Sequence, residues 1–173
     1  MAFKLHGSLD AVGAPVLRKI ILASSVTHVL MDATQAASGF LTNASMPGDP
    51  VVGHVIAHVS KEGMGLLTTG AAGAAIGSYA GTYATASDNT TVLQVAGLVD
   101  ISKNTLYSVV PSAAIGTTTG SNLFGYRTDL SDAATTDESS ATFATAQYLI
   151  WGVDPKTAAN QIVNIYESGI FGV

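Results

Sequence analysis

The chain contains no cysteine among its 173 residues. Disulfides, thiolate metal sites and cysteine nucleophiles are therefore excluded together. Charge is scarce as well. Asp, Glu, Lys and Arg make up 11% of the chain, against about a quarter in an ordinary globular domain. Seven basic and twelve acidic residues leave a net charge of −5. The basic residues form no cluster, which argues against nucleic acid as a partner. Long apolar runs are missing too. Val16–Leu22 is interrupted by Arg18 and Lys19, and no window approaches the roughly 18 apolar residues of a membrane span. No apolar core follows Lys4 in the opening segment, so no secretory signal is expected. The charge deficit is filled by Ala, Gly, Thr and Ser, within a chain that is 47% hydrophobic. Isolated soluble proteins usually carry more charge, so this composition points to a surface largely covered by partners.

What is present reads as β-structure. Val26–Met31, Thr91–Val99, Thr105–Val110, Gln147–Val153 and Gln161–Tyr166 are rich in β-branched and aromatic residues. Turn residues separate them at intervals of about ten. No repeated strand–helix alternation supports a parallel sheet. The expected fold is all-β: an antiparallel sandwich or barrel-like domain with an extended N-terminal segment and at most one or two short helices. Residues 1–25 are expected to form an extended arm or edge segment, and residues 26–173 a single β domain. Within the arm, residues 1–15 have few core formers and several chain breakers, so they are expected to be mobile in the free protein and ordered on a neighbouring subunit. Val16–Ser25 is open between a short helix and a strand, and Gly39–Ala44 between a strand and a turn. Val51–Ser60 is expected to pair with Gly65–Thr69 as a hairpin. Thr128–Thr145, rich in Asp, Ser, Thr and Ala, reads as a solvated loop.

His54 and His58 stand four residues apart in an apolar run. On a helix they would share a face, as in a zinc-binding HExxH. Val55 occupies the place of that motif's glutamate, however, and the run is β-branched with turn residues at both ends. On a strand two side chains four apart share a face about 13 Å apart, at roughly 3.3 Å per residue, too far for one metal ion. The expectation is a strand with Val55, Ala57 and Val59 facing the core and both histidines on the less buried face.

The glycines at 70, 73, 77 and 81 suggest a phosphate-binding loop, but the G-x-G of a dinucleotide site and the Gly-Lys of a P-loop are absent. That segment reads as small-residue packing. No G-x-S-x-G elbow is present. Asp137 and Glu138 read as a solvated turn rather than a catalytic pair, and the Asn89-Thr90-Thr91 triplet as a chance sequon. No catalytic residue, metal ligand or cofactor is expected.

Three stretches share a texture: Gly77–Lys103, Ala114–Leu123 (Ala-Ile-Gly-Thr-Thr-Thr-Gly-Ser-Asn-Leu) and Ile162–Ser168 (Ile-Val-Asn-Ile-Tyr-Glu-Ser). Through them residues 40–173 resemble virion structural proteins of tailed phages, most closely the small capsid decoration, or cement, proteins. The resemblance implies a non-enzymatic β-protein on the capsid exterior, assembled in the host cytoplasm, that stabilises the shell. It implies the major capsid protein and copies of the same chain as partners, often as a trimer, without membrane or nucleic acid. Other virion roles (head fibre base, tail tube, minor capsid subunit) and a ligand-binding β-domain stay open beside it. The apolar residues Phe3 and Leu5 near the start, and Ile170 and Phe171 near the end, are the candidate subunit contacts. The C-terminal residues Ile170, Phe171 and Val173 are expected either to close the chain's own core or to dock on a neighbour.

Overall fold

A computed structural model describes residues 3–9, 15–60, 82–85, 95–112, 124–137 and 146–166. The regular structure among these residues is all-β, as thirteen strands. They are β1 (Lys4–Ser8), β2 (Leu17–Ile21), β3 (Thr27–Val29), β4 (Ala33–Ala37), β5 (Phe40–Asn43), β6 (Val51–Ser60), β7 (Thr82–Ala84), β8 (Val95–Asp100), β9 (Thr105–Pro111), β10 (Arg127–Asp132), β11 (Thr135–Asp137), β12 (Tyr148–Val153) and β13 (Gln161–Ile165).

Six strands form one sheet in the order β1-β9-β11-β10-β12-β13, and β13 pairs back onto β9. That last pairing closes β9, β11, β10, β12 and β13 into a small barrel, which removes the free edges of those strands. Ser108 of β9 pairs with Ile162 of β13 on one side and Lys4 of β1 on the other. Tyr107, Val109, Leu130, Tyr148, Ile150, Val163 and Ile165 fill the interior.

A second sheet runs β2-β8-β6-β4-β5. It curls until Leu22 bridges to Leu41 and the Ala23 amide donates to the Leu41 carbonyl at 2.8 Å. Leu22, Leu41, Val52, Val55, Val95 and Val99 pack within the curl. Gly97 matters there, because a Cβ on it would stand 3.1–3.2 Å from Leu41, Leu22 and Val55. β3 and β7 form a separate two-stranded ribbon.

The turn between β8 and β9 links the two sheets, since β8 belongs to the second and β9 to the first. The N-terminal strands follow the same division. β1 lies along β9, β2 along β8, and the Leu9 amide and Val16 carbonyl bond to Asn104 and Ile101 between β8 and β9. The segment Val16–Ser25, open between helix and strand in the sequence, thus holds the strand Leu17–Ile21. Gly39–Ala44 holds the strand Phe40–Asn43.

Two sequence readings are corrected. Thr128–Thr145 is not a solvated loop where it is described: Arg127–Asp132 and Thr135–Asp137 are strands, with Thr128, Asp129, Leu130 and Thr136 buried. Polar composition misled there, because those side chains bond within the structure instead of to water. For example, the buried Thr136 hydroxyl donates to Gln161 Oε1 at 3.3 Å. Ala33–Ala37 is a strand that composition did not reveal. The partners of β6 are β4 and β8, whereas the expected partner Gly65–Thr69 lies outside the described residues.

The second correction concerns the histidines. They share a strand, as expected, but not a face. The β6–β8 register shifts between Val55 and Ala57, leaving Ile56 as the extra residue of a β-bulge. His54 pairs with Asp100, and His58 with Gly97. Positions 97 and 100 lie on opposite faces of β8, because side chains alternate. His54 therefore enters the barrel side and His58 the curled-sheet side, and both are buried. A four-residue spacing preserves a face only on an uninterrupted strand, and the bulge was not visible in the pattern of valines.

Candidate docking surface and the buried network behind it

Where the barrel meets the second sheet, four rings form one cluster. His54 lies 4.1 Å from the Tyr107 ring, 4.4 Å from Phe3 and 5.9 Å from Tyr148, centroid to centroid. Phe3 stacks on Tyr148 at 5.2 Å. The polar atoms are matched. His54 Nδ1 stands 3.0 Å from the Met31 carbonyl, so it carries the proton and donates. Its Nε2, 3.1 Å from the Tyr148 hydroxyl, is then the acceptor. The Tyr107 hydroxyl donates to Asp100 Oδ2 at 2.7 Å. Burial holds the His54 pKa down at about 4, against the bond to Met31. Burial also raises the Tyr148 hydroxyl well above its ordinary range, and burial with the Asp100 charge does the same for Tyr107. None of these groups is poised to exchange a proton near neutrality. The cluster is a polar-satisfied seam.

His28, on the β3 ribbon, is the third buried histidine. No hydrogen bond of ordinary length and angle reaches either ring nitrogen, although Asn43 stands near enough to favour its charged form. Burial first, and the nearby His58 second, bring its pKa down to about 4. Asp32, at the entry to β4, goes the other way. Burial and the neighbouring Asp132 carboxylate raise it to about 6.

A third network fastens the β12–β13 connection. Ser108 Oγ donates to Asp154 Oδ2 at 2.6 Å and accepts from Asn160 Nδ2 at 2.9 Å, while the Lys156 amide donates to Asp154 Oδ1 at 2.8 Å. The Ser108 bond leads the causes that lower the Asp154 pKa. The serine's proton is committed to a carboxylate and no histidine accepts it, so this is a loop clasp and not a nucleophile with its base. Among the described residues no group of three or more His, Asp or Glu is placed to hold a metal ion.

The outer surface carries the features suited to contact. Its large exposed apolar side chains fall mainly into two sets. Leu5, Leu9, Val16 and Leu17 are aliphatic, belong to β1 and β2 or the residues beside them, and flank the turn between β8 and β9. Phe124, Tyr126 and Trp151 are aromatic and sit where the start of β10 meets β12. Met46 stands apart from both.

The candidate contact residues from the sequence divide accordingly. Leu5 is exposed, at 64%. Phe3, expected at a subunit contact, is 1% exposed and packs in its own chain's core, so it has no free ring to offer a neighbour. Its position beside a run of exposed residues hid this, since one apolar residue before a strand gives no sign of its direction. Ile170 and Phe171 lie outside the described residues. The exposed aromatic set escaped sequence reading, although Tyr148-Leu-Ile-Trp151 held a signal. A strand that is apolar at every position must bury both faces or leave one exposed.

No protein-family model matches the chain, and neither a curated protein nor a solved structure is significantly similar to it.

Proposed function

We propose that the chain is a structural virion protein of the capsid-decorating kind. It binds the major capsid protein lattice and copies of itself, and acts on the capsid exterior without catalysis. The observation that carries the reading is the aliphatic surface of Leu5, Leu9, Val16 and Leu17. It lies on β1, β2 and the residues beside them, and each of these strands is at the end of its sheet order. Exposed strands invite pairing with another chain, and exposed apolar side chains beside them favour association. The low charge of the whole chain supports the same reading, because interface cores are depleted in charge. A closed barrel tied through the β8–β9 turn to a curled sheet provides a body for repeated, symmetric contact.

The test is co-sedimentation of the purified chain with shells assembled from the major capsid protein alone. The native chain should pellet with shells at saturating stoichiometry. Leu5→Asp and Leu17→Asp should remain in the supernatant while melting at the native temperature. Equal pelleting of the native and both substituted chains removes the aliphatic surface as the contact. If the native chain does not pellet at all, the decoration reading fails. Hexameric rings or open stacks without shells would instead favour a tail-tube role.

A further inference from the structure

The β3–β7 ribbon pairs with neither of the two larger sheets. From it His28 and Leu30 reach into the curl of the second sheet. Leu30 packs with Leu22, Leu41 and Val55, and His28 is fully buried near His58 of β6. The ribbon is tied at its ends. Asn43 Nδ2 donates to the Thr27 carbonyl at 2.8 Å, the Thr85 hydroxyl to the Ala23 carbonyl at 2.7 Å, and the Met31 amide to the Val55 carbonyl at 2.8 Å. Strained residues bracket β3. Ser25 before it takes φ +56° and Met31 after it φ +70°, in the left-handed region that residues other than glycine enter at a cost. Strain of this kind clusters in segments that switch. The plug itself is also costly, because buried polar atoms without hydrogen bonds destabilise a fold. Neither His28 ring nitrogen has a bond of ordinary geometry, and the neighbouring Asn43 Oδ1 is buried without one as well. A leucine or phenylalanine would fill the curl at no such cost, so the histidine needs a reason.

We propose that the β3–β7 ribbon is an acid-released flap over the curled sheet, with His28 as its trigger. The shut flap requires a neutral imidazole. Protonation places a cation in an apolar interior beside a second imidazole, and lifting the ribbon returns that cation to water. The closed form holds the His28 pKa at about 4, through burial and then His58, whereas a solvated imidazole titrates near 6.5. Opening therefore takes up a proton between those values, so the shut form is fully favoured above 6.5 and loses its advantage toward 4. Among the described residues, His58 on β6 opposes the charge and Asn43 on β5 favours it. On β7 the residue opposite His28 is Tyr83, a phenol that stays neutral in acid. Asp32, just past the ribbon, answers to Asp132 and is itself protonated below about 6. What opening uncovers is the apolar lining of the curl, Leu22, Leu41 and Val55. This inference does not depend on the decoration reading.

The chain has no cysteine, so one introduced thiol reports opening. Val55→Cys places it in the lining of the curl, and Val163→Cys in the barrel interior, where unfolding of the barrel is needed to expose it. The second position also reads the effect of His54, which is bonded to Met31 but sits in the barrel seam. Each full-length chain is labelled with a small disulfide reagent from neutral pH down to the His28 range. Rates are divided by those of the urea-unfolded chain at the same pH, which removes the ionisation of the thiol itself. The corrected rate at Val55→Cys should rise about tenfold for each pH unit below 6.5, as one proton is taken up. It should run well ahead of the rate at Val163→Cys. Adding His28→Leu, which takes up no proton, should flatten the rise, and His28→Gln repeats the test with a neutral polar side chain. Equal rates at the two thiol positions overturn the inference, because the curl then opens only with the whole fold. So does a rate at Val55→Cys that ignores pH, or a rise left unchanged by both His28 substitutions.

Discussion

Phe3, Tyr107 and Tyr148 on one hand, and Phe124, Tyr126 and Trp151 on the other, are two sets of three aromatic residues with opposite surroundings. The first set closes around His54 where the barrel meets the second sheet, and its rings are 0–1% exposed. Each of its hydroxyls has a named partner, His54 or Asp100. The second set sits on the barrel's outside with its rings open. The difference teaches that aromatic content says little about role until polar partners are traced. In the interior every ring is matched to a seam that the fold itself makes. At the surface the backbone and the indole N–H are fixed while the ring faces are left unused. Stability should therefore respond strongly to the first set and little to the second.

Removing Phe3 is the harshest test of that division. Phe3→Ala opens a cavity against His54, Tyr107 and Tyr148 and should cost about 3–5 kcal/mol. A denaturant melt would show it as a large drop in midpoint. A drop of a few tenths would mean that the N-terminal strand is not part of the core. Tyr107→Phe keeps the ring and removes the hydroxyl, leaving Asp100 Oδ2 without its 2.7 Å donor. That should cost about 1–3 kcal/mol, and Tyr107→Phe joined to Asp100→Asn should recover part of the loss.

Acid provides a third probe. His28 and His54 have folded pKa values of about 4, below the ordinary 6.5. The unfolded chain therefore takes up more protons between those values, and stability falls as pH drops from about 6.5 to 4. Asp32 opposes this, because its folded pKa is raised to about 6 from 3.8, so the folded chain binds more protons there. Two histidines against one carboxyl leave a net loss. The midpoint should fall steadily between pH 6.5 and 4, and His54→Gln should flatten part of that slope. A midpoint flat across this window would contradict the buried neutral histidines. The smallest effect belongs to the outer set. Phe124→Ala and Tyr126→Ala should move stability by no more than about 0.5 kcal/mol.

The β-character of the chain was legible in its valines, isoleucines and turn residues, and β6, β8, β9, β12 and β13 fall within or close to the runs that those residues mark. Strands built on Ala, Thr, Ser and Asp were not legible. β4 (Ala-Thr-Gln-Ala-Ala) and β10 (Arg-Thr-Asp-Leu-Ser-Asp) owe their form to neighbours in the sheet and not to propensity. Of the surface, Leu5 was anticipated from its apolar side chain in a polar-looking start. Phe3, two residues earlier, could not be told from it, because the direction of each is set by β1 pairing with β9 from far along the chain. The placement of His54 and His58 on opposite faces depended on one extra residue, Ile56, which no local pattern announces.

The proposed role makes its most direct commitment about position. Electron cryo-microscopy of the particles with which the chain copurifies should show the barrel and the curled sheet on the outside of the capsid. Leu5, Leu9, Val16 and Leu17 should face the major capsid protein or a symmetry copy, with Phe124, Tyr126 and Trp151 turned to solvent. Particles without density for the chain, or density only in the tail, would contradict the account.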